Sequence, residues 1–236
     1  MKVFITGSTQ GIGLAMATAF VREGHEVTVH CSRDLEKAER IRDEIGAAHA
    51  VVADLSNMSD TESLYEKTGA VDVLILNASV QFRTPWQMIG DDEFDRQINV
   101  NLKSTLKLMQ AYYPAMKENG FGRIITVGSV QQSRPHPDMA IYAATKCAVM
   151  SLVHNVAKQV APFGVTVNNL SPGVIATPRN EAALADVEYS KKVLAGIPAA
   201  RAGEASECAG AALLLASPAA SYITGVDLAV DGGMSL

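Results

Sequence analysis

The sequence predicts an α/β fold in which a doubly wound parallel sheet of seven strands carries helices on both faces, within one domain covering residues 1–236. Apolar runs too short for helices alternate with longer segments of helical period, the signature of βαβ units. A glycine-rich turn, Thr6-Gly7-Ser8-Thr9-Gln10-Gly11-Ile12-Gly13, joins the first such run to the first helical segment. No Pro/Ser-rich linker, low-complexity tract or solenoid repeat divides the chain, and a parallel sheet of this size is commonly a single domain.

The elements follow in order. "KVFIT" from Lys2 reads as the first strand, and Ile12 to Glu23 as a helix stopped by Gly24. "EVTVHC" is the second strand, after which Asp34 caps a helix running to about Ile45. "AHAVVA" gives a third strand ending at Asp54, then a helix spans about Asp60 to Lys67, and "VDVLIL" is the fourth strand. One long helical stretch is expected from about Asp92 to Glu118, followed by strand "GRIITVG", a helix from about Tyr142 to Ala161, and strand "VTVNNLS" after the Gly164 stop. Pro172-Gly173 breaks the pattern; residues 177–203 read as an interrupted helical excursion, Ala205 to Ala216 as a final helix, and "GVDLAVDGG" as the last strand. In such sheets ligands bind beyond the carboxyl ends of the strands.

Composition narrows the function classes. The formal charge is -5 and the Lys and Arg residues are scattered, so no basic stripe awaits a nucleic acid backbone. No apolar run reaches the roughly 20 residues a membrane helix needs. Strand-like sequence starts at Lys2, which leaves no room for a cleaved leader, so a soluble cytoplasmic protein is expected. Cys31, Cys147 and Cys208 have no metal-like or redox-like spacing; they read as reduced thiols, Cys147 as a buried packing residue.

Gly7, Gly11 and Gly13 lie where backbone NH groups and the positive end of a helix receive a pyrophosphate. A glycine turn alone fits tight helix packing equally well; its place after a clear strand, at the head of a seven-strand pattern, favours a dinucleotide. An NAD-binding loop usually pairs with an acidic residue at the end of the second strand. Here Ser32 and Arg33 stand at that place, and an arginine favours a 2′-phosphate, so NADP(H) is expected, with NAD(H) possible. Alternatively Arg33 is a solvated loop cation and Asp34 only a helix cap, and Gln10 adds no second positive charge. Asp54 reads as an acceptor for the adenine amino group or, alternatively, as the cap of the next helix.

Tyr142 and Lys146 are four apart in "AIYAATKCA", with Ser129 thirteen residues upstream of Tyr142. A helix places positions four apart on one face. A tyrosine is a poor acid-base group at neutral pH because its reference pKa is about 10. An ammonium roughly 5 Å away, at an effective dielectric of about 20, contributes on the order of 3 kcal/mol towards the anion. Singly, these residues read as a turn serine and an exposed helical pair; together, in this topology, they read as a reaction centre.

On these residues the chain resembles the classical short-chain dehydrogenase/reductase family over essentially its whole length. The family's TGxxxGxG matches Thr6 to Gly13, its asparagine Asn101, its serine Ser129, its YxxxK Tyr142 and Lys146, and its PG Pro172-Gly173 with Thr177 following. The family's usual NNAG reads Leu76-Asn77-Ala78-Ser79 here, so Ser79 adds a side chain where glycine is customary. The resemblance implies a Rossmann-like fold and hydride transfer between a nicotinamide and a carbonyl or secondary alcohol. Ser129 would bond the substrate oxygen, Tyr142 would exchange its proton, and Lys146 would lower the phenol's pKa and bind the nicotinamide ribose. Asn101 would hold a water leading from Lys146 to solvent, or only stabilise a helix kink. The cofactor would be lined by Gly7, Ser8, Thr9, Gln10, Gly11, Ile12 and Gly13 in the loop, by Ser32, Arg33, Asp54 and Leu55, by Asn77, Ala78 and Ser79, and by Pro172, Gly173, Val174 and Thr177.

The expected partner is a small carbonyl or alcohol. Gln131, Gln132, Arg134, His136 and Arg179 hint at a polar or anionic one, such as a sugar, polyol or small keto compound; they are equally readable as solvent-facing, and a β-ketoacyl thioester stays open. The long helical stretches near 92–118 and 142–161 read as too apolar to be covered on one side alone, and because the family pairs these two helices across subunits, usually as a tetramer, the resemblance implies a homo-oligomer, a tetramer or dimer. A non-catalytic nucleotide sensor on the same fold is the alternative, yet such proteins characteristically lose the tyrosine or lysine. A sugar-nucleotide epimerase would carry GxxGxxG and a longer carboxyl-terminal region, and neither is present.

Overall fold

Strands buried on both faces read as short, largely apolar runs, and this chain carries seven of them. In the computed structural model, which describes residues 1–236, these runs are β1 (Lys2–Ile5), β2 (Glu26–Cys31), β3 (His49–Val52), β4 (Val73–Leu76), β5 (Gly122–Val127), β6 (Val165–Pro172) and β7 (Asp227–Val230). They pair parallel throughout, in the order β3-β2-β1-β4-β5-β6-β7. The chain reverses its direction of sheet growth between β1 and β4, and the crevice that opens there is where the site lies.

Alternation of side chains divides the core into two layers. Phe4, Leu74 and Ile124 face one side, under α3 (Met58–Thr68), α5 (Ser104–Glu118) and α6 (Ala140–Val160). Val3, Ile5, Val73 and Ile125 face the other, under α1 (Gly11–Arg22) and α9 (Ala205–Ala216). α2 (Leu35–Ile45) starts at Asp34, whose carboxylate accepts from the Lys37 NH, and stops at Gly46 in the left-handed region. Asn57, not Asp54, caps α3.

The stretch expected as one helix is not uniform. α4 (Asp91–Gln97) passes through a π-helical segment, Ile98–Lys103, before α5 begins. The cause is local competition for backbone groups: the Ser104 and Thr105 hydroxyls bond the Val100 and Asn101 carbonyls, while the Asn101 side chain grips Val80 outside the helix. After β6 the excursion folds as a two-residue ladder, Ile175–Ala176 against Gly203–Glu204, enclosing α7 (Glu181–Ala185) and α8 (Val187–Ala195). Cys147 departs from expectation, being exposed on the outer face of α6, while Cys31 and Cys208 are buried. No helix is long and apolar enough to cross a membrane.

Phe20 anchors α1 in the layer it shares with α9 and has no exposed surface. Phe20→Ala should cost about 3–5 kcal/mol through lost burial and a residual cavity, measured as a fall in the urea midpoint with an unchanged m-value.

Candidate active site

The site begins at the turn between β1 and α1. A Cβ at Gly13 would overlap the Gly7 carbonyl oxygen and come within 2.5 Å of the Asn77 Nδ2, so only glycine lets the first turn of α1 press against β1. Asn77 donates both amide hydrogens, to the carbonyls of Thr6 and Gly7 at 2.9 Å each. His30, at the end of β2, accepts the Gly7 NH on Nδ1 at 3.0 Å, and its Nε2 stands 3.0 Å from the Ala53 carbonyl, to which it donates. That pairing sets the tautomer, and burial pushes the imidazole down to about 4. No signal in the sequence marked His30, because its role depends on the β2–β1 pairing.

α1 enters this turn without a side-chain cap, in contrast to α2, α3 and α8. Its first NH groups are therefore free for an oxyanion. With the glycine cradle, this fits a dinucleotide pyrophosphate.

One cavity of about 1140 Å³ runs from this turn to the loops after β4, β5 and β6. Of the expected site residues only Ser8, Asn101 and Gln132 do not line it. Ser8 is fully buried, donating to the Ile5 carbonyl at 2.8 Å and accepting the His30 NH at 2.9 Å, so it knits the loop instead of facing a ligand. The Asn101 amide is consumed by Val80 N and O, at 2.9 Å each, and by the Thr145 hydroxyl at 3.2 Å. Its side chain ties the π segment to the loop after β4 and to α6, and its backbone carbonyl accepts from the Thr105 hydroxyl.

At the adenosine end, Arg33 lies against Asp54 with both Nε and Nη2 on Oδ2, at 3.0 and 2.7 Å. Burial opposes ionisation of Asp54, but hydrogen bonds from Ser56 and Arg33 outweigh it and hold the carboxyl at about 2. Lys37, which sequence reasoning missed, reaches from the first turn of α2 to the Gln10 side chain at 3.0 Å. It is the second cation that Gln10 itself cannot supply, and the helical period placing it over the loop was its only signal.

Beyond β5, Ser129 caps a 3₁₀ turn: its Oγ accepts the Gln131 NH at 3.2 Å, and its own NH donates to Gln132 Oε1 at 3.0 Å. Gln132 does not line the cavity; it donates to Asp227 at 3.0 Å and is packed with Asn169 and Ser171. Gln131 lines the cavity but spends its carbonyl on the His136 NH at 2.6 Å. On α6, the Lys146 Nζ donates to the Val127 carbonyl at 2.7 Å and sits 5.5 Å from the Tyr142 ring centroid. The Tyr142 side chain is buried at the cavity wall and its hydroxyl makes no hydrogen bond within the chain. Burial pushes the Lys146 ammonium down to about 7, with the Arg179 charge acting in the same direction.

The chain matches the family described as Enoyl-(Acyl carrier protein) reductase over residues 7–235. It is 36% identical over 245 residues to a glucose 1-dehydrogenase of Gluconobacter oxydans, covering 100% of this chain and 92% of that one. It is 37% identical over 235 residues to the 3-oxoacyl-(acyl-carrier-protein) reductase FabG of Salmonella typhimurium, covering 98% and 95%. A solved structure of a putative NAD(P)-dependent gluconate 5-dehydrogenase from Beutenbergia cavernae, with NADP bound at low occupancy, superposes with a TM-score of 0.92 at 36% identity, covering 99% and 96%.

Lys146 yields a pH prediction. Between about 7 and its ordinary 10.5 the folded chain binds fewer protons than the unfolded one, so this group's destabilising effect is full below pH 7 and fades as pH rises. Lys146→Met should therefore raise the Tm of the cofactor-free protein most at pH 6, with the gain shrinking by pH 9; a gain independent of pH would contradict it.

Proposed function

The chain belongs to the short-chain dehydrogenase/reductase family, NAD(P)-dependent oxidoreductases of carbonyl and alcohol groups, and from that premise we propose that Tyr142 is the acid-base group of an enzyme that favours NADP(H). The observation that carries this is the state of the two hydroxyls at the cavity wall. Ser129 Oγ already accepts from Gln131, which turns its proton towards a ligand oxygen, while the Tyr142 phenol has no partner of its own. A substrate oxygen held between them receives one hydrogen bond from Ser129 and a proton from Tyr142, or returns a proton to Tyr142 in oxidation.

Lys146 uses one NH on Val127 and keeps two for ligand hydroxyls, beside the phenol whose negative charge it stabilises. Asn101 acts as a positioning residue, fixing the α6 turn through Thr145. The nicotinamide, when bound, supplies the hydride chemistry. The 2′-phosphate on the cofactor's adenosine ribose would meet Ser32, Arg33 and Lys37. Asp54 partly neutralises Arg33, whereas Lys37 is bonded only to the neutral Gln10 and keeps its full charge.

We also infer a homo-oligomer, a dimer or tetramer. The outer faces of α5 and α6 carry no large exposed apolar side chain, whereas Leu214, Tyr222, Val226 and Leu236 are exposed on α9 and beside the edge strand β7. Sedimentation at micromolar concentration should give a dimer or larger; a monomer would remove the inference.

The function is tested by fluorescence titration with NADPH and NADH, followed by turnover of a panel of sugars, keto acids, acyl thioesters and steroids. NADPH should bind more tightly, Arg33→Ala with Lys37→Ala should lower that preference at least about tenfold, and Tyr142→Phe should bind cofactor normally yet lose turnover by about three orders of magnitude or more. Tight binding without turnover of any compound would move the protein to a sensing role.

A further inference from the structure

The substrate half of the cavity holds positive charge that nothing in the chain neutralises. Arg83, Arg96, Arg134, Arg179 and Lys192 line it, and none of the five has a carboxylate partner within 4.0 Å. Elsewhere the chain pairs such groups readily, Arg33 with Asp54, Arg42 with Asp43 and Arg201 with Glu207. The asymmetry runs against the overall charge of -5: of 25 acidic residues only Asp54 lines the cavity, at the adenosine end and already engaged by Arg33.

Three of these guanidiniums are held by neutral groups: Arg134 donates to the Met234 carbonyl, and Arg179 and Arg83 are bound within the cavity wall. Arg179 donates from Nη1 to the Ser79 hydroxyl at 3.0 Å and from Nη2 to the Ser79 carbonyl at 2.8 Å. Arg83 donates from Nη2 to the Tyr189 hydroxyl at 3.1 Å and lies 5.4 Å from the centre of that ring. Such bonds orient a guanidinium without cancelling its charge. Arg179 has five NH donors and spends two, so a fork remains for an oxyanion. Ser79 stands where the family resemblance expected glycine, so its hydroxyl is a feature of this chain that immobilises this charge. Arg179 also approaches the reaction centre closely enough to help depress Lys146.

We propose that Arg179, held by Ser79, and Arg83, held by Tyr189, form a subsite for an oxyanion carried by the substrate, so that the carbonyl or alcohol presented to Ser129 and Tyr142 belongs to a molecule bearing a carboxylate or a phosphate monoester. This rests on the oxidoreductase reading of the same cavity. A planar arginine fork recognises either oxyanion bidentately, which a lysine would not do.

The test compares matched pairs with the tighter-binding cofactor: acetoacetate and a keto-hexonate against their methyl esters, and dihydroxyacetone phosphate against dihydroxyacetone. The charged member should have the higher kcat/KM by at least about tenfold, chiefly through KM, and which pair responds separates carboxylate from phosphate. Arg179→Met should collapse the charged-over-neutral ratio towards one, and Ser79→Gly should lower it several-fold by freeing the guanidinium. Equal turnover of charged and neutral partners overturns the proposal. So does an Arg179→Met variant that loses only NADPH affinity and keeps the ratio, since the charge would then serve the cofactor. An equilibrium arm separates this proposal from the function it rests on: malonate and inorganic phosphate are titrated against the protein–NADP⁺ complex by calorimetry. Binding of one of them that Arg179→Met abolishes supports the subsite even if no panel compound turns over, and no binding of either overturns it.

Discussion

Two backbone segments touch at the turn between β1 and α1 where no side chain fits, and the working parts of the protein are arranged around that contact. Gly13 rests on the Gly7 carbonyl, and Asn77 and His30 hold the loop from both neighbouring strands. The loop is thus fixed by β4 on one side and β2 on the other, which is possible only because β1 lies between them. α1 then points an uncapped NH terminus at the crevice, and the same Asn77 begins the loop that carries Ala78, Ser79 and Val80 along the cavity. Binding a dinucleotide and folding the central sheet rest on one set of contacts.

A second constraint supports the reacting hydroxyls from below. Asp227 on β7 accepts from Asn169 at 2.7 Å, Ser171 at 2.6 Å and Gln132 at 3.0 Å, and Gln132 in turn accepts the Ser129 NH. A Cβ on Gly128 would overlap Gln132 and Asn169, so glycine there makes room for the network. Satisfied polar networks of this kind cost little and specify one arrangement, whereas a half-satisfied one is expensive. The edge strand β7 therefore contributes to the geometry of Ser129 from across the sheet.

Charge is distributed with the same economy. Acids and bases pair on the outer surface, while the cavity, apart from Arg33 on Asp54 at the adenosine end, keeps its cations unpaired: Lys146 buried beside Tyr142, Lys37 over Gln10, Arg179 on Ser79. Unpaired cations of this kind are tolerated where a ligand's negative charge completes them.

Strand and helix order, the cofactor loop and the Ser129–Tyr142–Lys146 spacing were legible in the sequence, because periods of two and 3.6 and the glycine pattern are properties of local chain. Tertiary structure decided what depends on distant partners. Ser8 and Gln132 looked like ligand residues and turned inward because His30 and Asp227 bond them across strands. Asn101 became a tie because the loop after β4 and α6 both reach its amide, and the helix opened into a π segment there. His30 and the Ser79–Arg179 pair, whose members lie 100 residues apart in the chain, had no local pattern to announce them. The sequence by itself determined which elements form and which chemistry is carried; only the packed sheet decided which side chains face the cavity, because hydrogen-bond partners far apart in sequence meet only when the strands are in register.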